Sequence, residues 1–450
     1  SPSITMEGSG RDLAWNLLRD ALGGLGTAGL FDASWSVKGP TASPVVSFAL
    51  KGRETPFSRS LPLRNIQLEG RFEKNELSVS KGSGSLFGGT ASIEGKARFG
   101  SATSLSFKGA FRGLSAGQIA AAAGADAETA DGVVAGEFSL SGKPSSPLLS
   151  LTASAPSLGV ASLPLTAVRA KAEGTLSSLK ITDFSARLQE SSVDLSGVIG
   201  LSKGEKTNLK IAANKLDLHS LAAAFFPGVR LGGTLSAQLN VSGKTGGAYT
   251  STLSGTSPFL SVYGVLLEKA KVSLTRDGED AFDVALEGML GESALALEGR
   301  AVVSPSGATF SLKNTKKIDL AKTASALSAH AAGIFTGDAD FSLTGKLGAV
   351  PTFEGSISAQ SLGLYKTEAR SVSVPFRWSD GMFVISGGKG VYHEGTALFD
   401  GKVDPVTMRW EGTLAVKEMD LASASERILE GQGKISGKAD LTMRGSGTGG

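Results

Sequence analysis

A glycine-rich segment near the start of the chain has the spacing of a dinucleotide-binding motif. The segment reads Gly-Leu-Gly-Thr-Ala-Gly, with its spaced glycines at Gly24, Gly26 and Gly29. A phosphate-binding loop of this kind follows a strand and opens a helix, because the amides at the helix N-terminus bind the phosphate. Here a predicted helix at 12–22 precedes the glycines and a strand-like run at 30–37 follows them. We therefore interpret the segment as a helix stop and a turn.

Two further groups of residues have side chains that could bind a metal ion. Residues 277–280 read Asp-Gly-Glu-Asp, and carboxylates are the ligands that calcium prefers. The 12-residue loop spacing is missing, and Asp-Gly between strands predicts a hairpin turn. The three histidines, His219, His330 and His393, each lack a second ligand three or four residues away. The sequence therefore predicts a solvated turn and ordinary histidines, with no metal site.

No complete set of catalytic residues is visible in the sequence. It has no cysteine and no phosphate-binding loop ending in Gly-Lys-Ser/Thr. Residues 113–117 read Gly-Leu-Ser-Ala-Gly, and we interpret Ser115 there as a helix cap. His393 and Glu394 are adjacent, but the rest of a zinc-protease signature is absent. We therefore predict that the protein is not an enzyme and uses no cofactor.

The charges of the chain are balanced and mixed. Lys plus Arg number 45 against 42 for Asp plus Glu, and both signs are interspersed along the 450 residues. Nothing in this pattern attracts a polyanion, so we expect no nucleic-acid partner. The chain has no run of about 18 apolar residues, so its sequence contains no predicted transmembrane helix. Because it opens on Ser1 rather than Met, we expect a piece of a longer chain whose membrane anchor lies elsewhere.

Three landmarks recur along the chain at intervals close to 102 residues. The first is a helix-capping residue before an Ala-rich or Leu-rich stretch: Asp12, Ser115, Asp217, Asp319 and Asp420. The second is a glycine inside an apolar-polar alternation: Gly95, Gly197, Gly299 and Gly401. The third is a basic residue closing a strand-like run: Lys38, Lys143, Lys244, Lys346 and Arg444. Agreement among three markers predicts a tandem array of units of about 102 residues.

The recurrence divides the chain into six segments. They are 1–22, the end of a truncated unit with its helix; 23–124, 125–227, 228–330 and 331–430, four successive repeats; and 431–450, the start of a truncated fifth unit. Glycine numbers 60 and aromatic residues make up only 6%, which favours many strands and turns over a helical bundle. We predict seven or eight strands in each unit, followed by one short capped helix.

Alternating apolar residues predict that each strand has one apolar face. The candidates for that face are Phe138, Leu140, Leu149, Leu151, Val193, Leu195, Leu235, Leu239, Val241, Phe341 and Leu343. Two interpretations fit this pattern, because alternation occurs in both. The side chains form the packed core between two sheets, or they line an open groove for an apolar ligand. The predicted fold class is mostly β, an elongated curled sheet of repeated units.

The units resemble the AsmA/TamB-like superfamily of bacterial envelope proteins. The resemblance rests on alternating runs that end in Gly-Lys before a Pro-containing turn, at 138–147 and 341–351, and on extended segments such as Leu158-Gly159 and Leu362-Gly363. It also rests on Ala-rich helices that follow an apolar residue, Asp and Leu, at 216–224, 318–327 and 419–428.

This resemblance implies a periplasmic protein of Gram-negative bacteria whose parent chain is anchored in the inner membrane. It implies a groove-shaped sheet with an apolar lining that carries phospholipids toward the outer membrane and supports its biogenesis. Phospholipid acyl chains are then the ligand, and the partners are the anchor and envelope proteins beyond these residues. The alternative left open is a string of β-sandwich domains, as in adhesins, or a structural envelope scaffold, since about 100 residues also fit a sandwich.

Overall fold

The fold was determined as a computed structural model. It describes residues 2–448 except 15–28, 59–60, 101–102, 123–125, 161–162, 226–228, 263, 278–280, 305–306, 328–332, 334, 348–351, 365–366, 380, 405–406, 408 and 429–434. The chain divides into two compact units. Unit 1 comprises 1–213 and 240–249, and unit 2 comprises 214–239 and 250–450.

Unit 1 contains the first part of a mostly β chain. Its strands are β1 (Ser3–Ala14), β2 (Leu30–Pro40), β3 (Val45–Ser58), β4 (Leu61–Glu73), β5 (Glu76–Leu86), β6 (Gly89–Arg98), β7 (Ser104–Ser115), β8 (Ala130–Lys143), β9 (Ser146–Val160), β10 (Leu163–Thr175), β11 (Ser178–Leu188) and β12 (Ser191–Gly200). Helix α1 (Ala116–Ala122) and a 3-10 turn (Ala127–Thr129) connect β7 to β8.

Three strands have residues in both units: β13 (Lys206–Asp217), β14 (Leu231–Lys244) and β15 (Tyr249–Val262). The strands that lie wholly in unit 2 are β16 (Val265–Asp277), β17 (Ala281–Leu290), β18 (Ser293–Ser304), β19 (Gly307–Asn314), β20 (Ile318–Asp319), β21 (Phe335–Thr336), β22 (Asp338–Leu347), β23 (Thr352–Leu364), β24 (Thr367–Ser379), β25 (Met382–Tyr392), β26 (Gly395–Val403), β27 (Arg409–Asp420) and β28 (Lys438–Thr448). The helices of unit 2 are α2 (Leu218–Phe225), α3 (Leu320–Leu327) and α4 (Leu421–Ile428).

Each unit is an antiparallel sheet in which long strands pair with their neighbours in sequence. In unit 1 the pairing is continuous from β1 to β12. In unit 2 it is continuous from β15 to β28, with β19 pairing with β22 across the short strands. A β-sandwich needs two sheets facing each other, whereas these pairings place consecutive strands side by side in one layer. The sandwich alternative is therefore not the fold of either unit.

The number of strands differs from the prediction of seven or eight per interval. Six long strands, β8 to β13, lie between α1 and α2. The segments 176–181 and 184–188, which alternation suggests are two strands, form the single strand β11. Its register with β12 shifts between Ile181 and Ser185, so the apolar alternation is interrupted without ending the strand.

The connections between strands alternate between two edges of each sheet. One edge carries the helices that come after β7, β13, β19 and β27, and also turns such as Phe87-Gly88, which connects β5 to β6. We call it the helix edge. We call the turn edge the opposite one, where turns such as Lys74-Asn75 connect β4 to β5. Because successive strands are antiparallel, every second connection returns to the same edge.

A backbone irregularity recurs in four strands near the helix edge. The residue at this irregularity is not glycine and has a left-handed φ of 51° or 52°: Asn65 in β4, Ala167 in β10, Lys269 in β16 and Ser371 in β24. Their positions are 102 residues apart. At each position the register with the following strand shifts, as in a β-bulge, where two residues oppose one.

Each bulge places one small or branched apolar side chain in a packed cluster. The residues that follow the left-handed ones are Ile66, Val168, Ala270 and Val372, and all four are buried. The residue opposite each bulge is small: Gly84, Ala186, Gly288 and Gly390. A Cβ on Gly288 would lie 2.6 Å from the Leu267 side chain, which explains why a larger residue does not fit there. Each of these four residues belongs to a cluster of packed apolar side chains.

The helices begin directly after capping side chains. Ser115 Oγ accepts from the Gln118 amide at 3.3 Å, and Asp217 Oδ2 accepts from the Ser220 amide at 3.1 Å. Asp319 Oδ1 accepts from the Lys322 amide at 3.1 Å, and Asp420 Oδ2 from the Ser423 amide at 3.2 Å. These bonds satisfy amides that have no partner within the helix. Leu218 and Leu320, the first residues of α2 and α3, pack on the clusters of Ala270 and Val372.

Asp12 does not occupy such a position. It lies inside β1, where its φ is 52° and its amide donates to Asp32 Oδ1 at 3.0 Å. Glu418 has the same geometry two residues before the cap Asp420, with a φ of 56° and its amide 2.8 Å from Asp440 Oδ1. The prediction that a helix begins at Asp12 is wrong, because Asp12 occupies the bulge position and the strand continues to Ala14. The rest of the helix predicted at 12–22 lies outside the described residues.

Candidate functional site

The apolar face of unit 1 carries two rows of side chains that run from strand to strand near the turn edge. The first row pairs in register along Gly95, Phe107, Leu140, Leu149, Gly174, Leu179 and Ile199. The second row pairs along Ile93, Gly109, Phe138, Leu151, Ala172, Ile181 and Gly197. We call them the turn-edge rows. Directly opposed side chains on neighbouring strands lie close together, so each row is a continuous apolar strip.

Glycines in these rows allow bulky neighbours to lie flat against the sheet. A Cβ on Gly109 would lie 2.5 Å from the Phe138 ring, and one on Gly95 would lie 2.9 Å from the Phe107 ring. Gly95 also has a φ of 148°, which side chains rarely adopt. The recurring glycines Gly95 and Gly197 therefore lie within the apolar rows and leave space beside large side chains.

The predicted apolar-face residues are neither fully buried nor fully exposed. All eleven are half-buried: Phe138, Leu140, Leu149, Leu151, Val193, Leu195, Leu235, Leu239, Val241, Phe341 and Leu343. They do not all have the same surroundings. Val193 packs against the cluster of Val168, and Leu235 packs against the cluster of Ala270. These two belong to the border of the core, whereas Phe138, Leu140, Leu149 and Leu151 lie in the turn-edge rows.

Both core and open surface therefore occur on one face of the sheet. Along β9, Leu149, Leu151 and Ala155 share a face because side chains alternate with a period of two. Ala155, toward the helix edge, is buried, whereas Leu149 and Leu151, toward the turn edge, are half-buried. The accessible surface of the chain is 26518 Å². A compact protein of 45.8 kDa exposes roughly 16,000 Å². The chain therefore exposes more surface than a compact protein of its mass.

An aromatic cluster covers part of the apolar face of unit 2. Phe353 and Trp378 stack with ring centroids 5.3 Å apart, and Phe383 meets Trp378 edge-on at 4.9 Å. Phe341 stacks on Phe376 at 5.9 Å, and Phe376 meets Phe383 at 6.1 Å. Of the five rings, only Phe341 is among the sequence candidates. The alternation in β23 to β25 is the signal that could have identified the others.

The opposite face of the sheet is polar and carries exposed ion pairs. Lys108 Nζ lies 2.9 Å from Glu94 Oε1, and this bond raises the pKa of Lys108 above its ordinary value. Glu76 accepts from both Lys96 and Arg98, and these bonds lower its pKa. A shallow, open depression of about 640 Å³ lies over β5 to β9. It is lined mainly by the polar face, with Ser92, Glu94, Lys108, Glu137, Ser139, Ser150 and Thr152. Ile93, Gly109 and Phe138 of the second turn-edge row also contribute to its lining.

The other candidates for chemistry have separate surroundings. His219 is exposed on α2, whereas His393 is buried at the β25–β26 turn with Nδ1 3.1 Å from Ser423 Oγ. His330, most of the glycine segment 24–29 and residues 278–280 lie outside the described residues. In the described part of the chain, no group of three His, Asp or Glu side chains could hold a metal ion. Among the same residues, no helix is long and apolar enough to cross a membrane.

Comparison with known proteins gives no relatives. Searches against protein-family models, curated proteins and solved structures returned no significant match. The function must therefore be argued from the residues and their geometry.

Proposed function

We propose that the protein is a non-enzymatic lipid conduit of the bacterial periplasm. In this proposal the apolar face forms a groove that shelters phospholipid acyl chains, and the chain belongs to an AsmA-like array anchored in the inner membrane. The observation that carries the proposal is that Phe138, Leu140, Leu149 and Leu151 of the turn-edge rows are half-buried, while only Ala172 and Ile181 of the second row are buried. A packed core would bury Phe138 and Leu151, and an ordinary surface would not place such side chains in continuous rows.

In this proposal, many small contact free energies along the turn-edge rows hold an acyl chain and still allow it to slide. Sheltering a methylene from water contributes about 0.8 kcal/mol, so a chain that lies along several strands is held by the sum of many small terms. Neighbouring strands are about 4.8 Å apart, and each step of a row offers an apolar side chain or a glycine. A chain that advances by one strand exchanges one set of contacts for a similar set. Its free energy then changes little along the row.

The repeated architecture is part of the same proposal. The recurring caps, glycines and bulges at intervals of about 102 residues favour tandem units, each with six long strands and one short capped helix. Because the lining repeats, an apolar cargo can pass from one repeat of about 102 residues to the next without a deep binding pocket. The repeated architecture and the periplasmic location are therefore parts of the same proposal as lipid transport.

The first test is the lipid content of the purified protein. We expect the protein to co-purify with phospholipid, detected by mass spectrometry of organic extracts. Leu239→Asp and Phe341→Asp place a charge on the half-buried face, where acyl chains would meet it, and should reduce the bound lipid severalfold. Ser342→Asp is the matched control because Ser342, next to Phe341, lies on the opposite face. The proposal fails if the parent protein carries no lipid and in-cell photo-crosslinkers at positions 239 and 341 capture none.

A further inference from the structure

One large apolar side chain is exposed at each of five successive hairpins along the turn edge of unit 1. The five residues are Phe72, Phe99, Leu148, Leu176 and Leu201. They belong to the connections β4–β5, β6–β7, β8–β9, β10–β11 and β12–β13. Because alternate connections of an antiparallel sheet share an edge, these side chains form a line. We call this line the apolar rim.

Direct contacts join members of the apolar rim. The rings of Phe72 and Phe99 lie with centroids 6.4 Å apart, and the Phe99 amide donates to Asn75 O at 2.8 Å. Leu148 pairs with Thr175, the residue before Leu176. The Leu201 amide donates to Ser177 O at 2.7 Å, which brings Leu201 beside the β10–β11 turn. The rim is therefore a feature of the folded edge and not a set of scattered side chains.

Exposed basic residues accompany the apolar rim. Lys74, Lys143 and Lys203 are exposed at or beside three of the same hairpins, and Lys206 follows at the start of β13. Of the acidic residues at these hairpins, Glu76 already bonds Lys96 and Arg98. Glu173 and Glu205 are also exposed and offset part of the positive charge. Apolar side chains beside Lys residues are the combination that binds the interface of an anionic bilayer, where the apolar groups insert and the ammonium groups meet phosphates.

We propose that the apolar rim of unit 1 contacts the surface of an anionic lipid bilayer. Leu148 and Leu176 have exposed fractions of 56% and 59%, the largest on the rim. Leu148 follows the turn edge directly before Leu149 of the first turn-edge row, with its side chain on the opposite face of β9. Peripheral contact at this edge would bring a bilayer next to the apolar face. The proposal concerns binding to intact vesicles and does not depend on transport along the rows.

The test is co-sedimentation of the full chain with vesicles of zwitterionic lipid, with and without anionic phosphatidylglycerol, at physiological salt. We expect binding to the anionic vesicles, and the double variant Leu148→Ser/Leu176→Ser should weaken it by about tenfold. Val133→Ser is the matched control because Val133 is 54% exposed but lies toward the helix edge. Lys74→Gln/Lys143→Gln should weaken binding to anionic vesicles and leave binding to zwitterionic vesicles unchanged.

Several results would overturn the rim proposal. The proposal fails if the parent chain does not bind vesicles, or if the rim variant and the Val133 control bind them equally well. It also fails if the rim binds a protein partner and does not bind vesicles. The lipid extracted from the purified rim variant separates this proposal from the conduit. If the rim variant no longer binds vesicles but carries as much extracted lipid as the parent chain, the rim acts in vesicle binding and not in lipid loading. A parent chain without extracted lipid counts against the conduit alone.

Discussion

The two ends of the strands use the same apolar face in different ways. Toward the helix edge, bulges bring Ile66, Val168, Ala270 and Val372 into clusters, and α2 and α3 cover two of them. Toward the turn edge, Phe138, Leu140 and Leu151 stay half-buried. The alternating pattern is the same at both ends. The difference indicates that the clusters provide the packing of the sheet, and in our proposal the turn-edge rows are the part that meets a ligand.

The difference between the two ends is tested most directly by placing one charged residue in each region. Val168→Asp buries an unpaired carboxylate in the cluster of Ala155 and Ala186. We expect it to lower the free energy of unfolding by about 3–5 kcal/mol, measured by denaturant titration of the far-ultraviolet circular dichroism signal. Val133→Asp, at an exposed position of β8, is the control and should change stability little. Similar losses in the two variants would contradict the assignment of Val168 to a stabilising cluster.

The same charge in a turn-edge row should separate binding from stability. Phe138→Asp removes a half-buried ring that lies over Gly109. We expect a stability loss of only about 1–2 kcal/mol together with loss of most of the extracted lipid. Ser139→Asp lies on the opposite face of β8 and should keep both properties. A Phe138→Asp protein that unfolds like Val168→Asp would show that the rows are core.

Removing a helix cap should lower the stability by a smaller amount, and this loss should depend on pH. Asp217→Ala removes the acceptor of the Ser220 amide and should cost about 1 kcal/mol. The Ser220 hydroxyl, which donates to the Asp217 carboxylate, lowers the pKa of Asp217 below its ordinary value. The stabilisation is therefore fully present above the unfolded-state pKa and is lost as pH falls through the lower folded-state pKa. Thermal unfolding of parent and variant should differ at neutral pH and converge at strongly acidic pH, whereas Asp194→Ala should show no such convergence.

The smallest effect is expected on the polar face. Lys108→Gln removes the ion pair with Glu94, in which both side chains are exposed. Such pairs contribute little because water screens them. We expect no measurable change in the thermal unfolding midpoint or in extracted lipid. A clear loss of lipid would move the site from the apolar rows to the polar depression.

Some of this division could be predicted from the sequence. Alternation in 132–143 places Phe138 and Leu140 on one face, and the Asp and Ser residues before Ala-rich stretches indicate where helices begin. The bulges could not be predicted, because Asn65, Ala167, Lys269 and Ser371 share no side-chain chemistry. What they share is that the residue that follows each of them is buried. The small residues opposite them, Gly84, Ala186, Gly288 and Gly390, are a recurring signal that was available in the sequence.

The open state of the turn-edge rows could not be derived from the sequence either. Alternating apolar residues occur whether a second layer covers the face or not. In unit 1 the strands β1 to β12 pair in sequence order, and the half-buried state of Phe138 and Leu151 is seen in the structure and does not follow from the alternation. Asp12 shows the complementary error, since an Asp at a bulge and an Asp at a helix cap look alike in sequence.

The most direct test of the central claim is site-specific photo-crosslinking in cells. A photoreactive residue at Phe138 or Leu151 lies in a turn-edge row, whereas one at Ser139 or Ser150 lies on the other face of the same strands. The account predicts phospholipid adducts at positions 138 and 151 and only background at 139 and 150. Equal labelling on both faces, or no lipid adduct at 138 and 151, would contradict it.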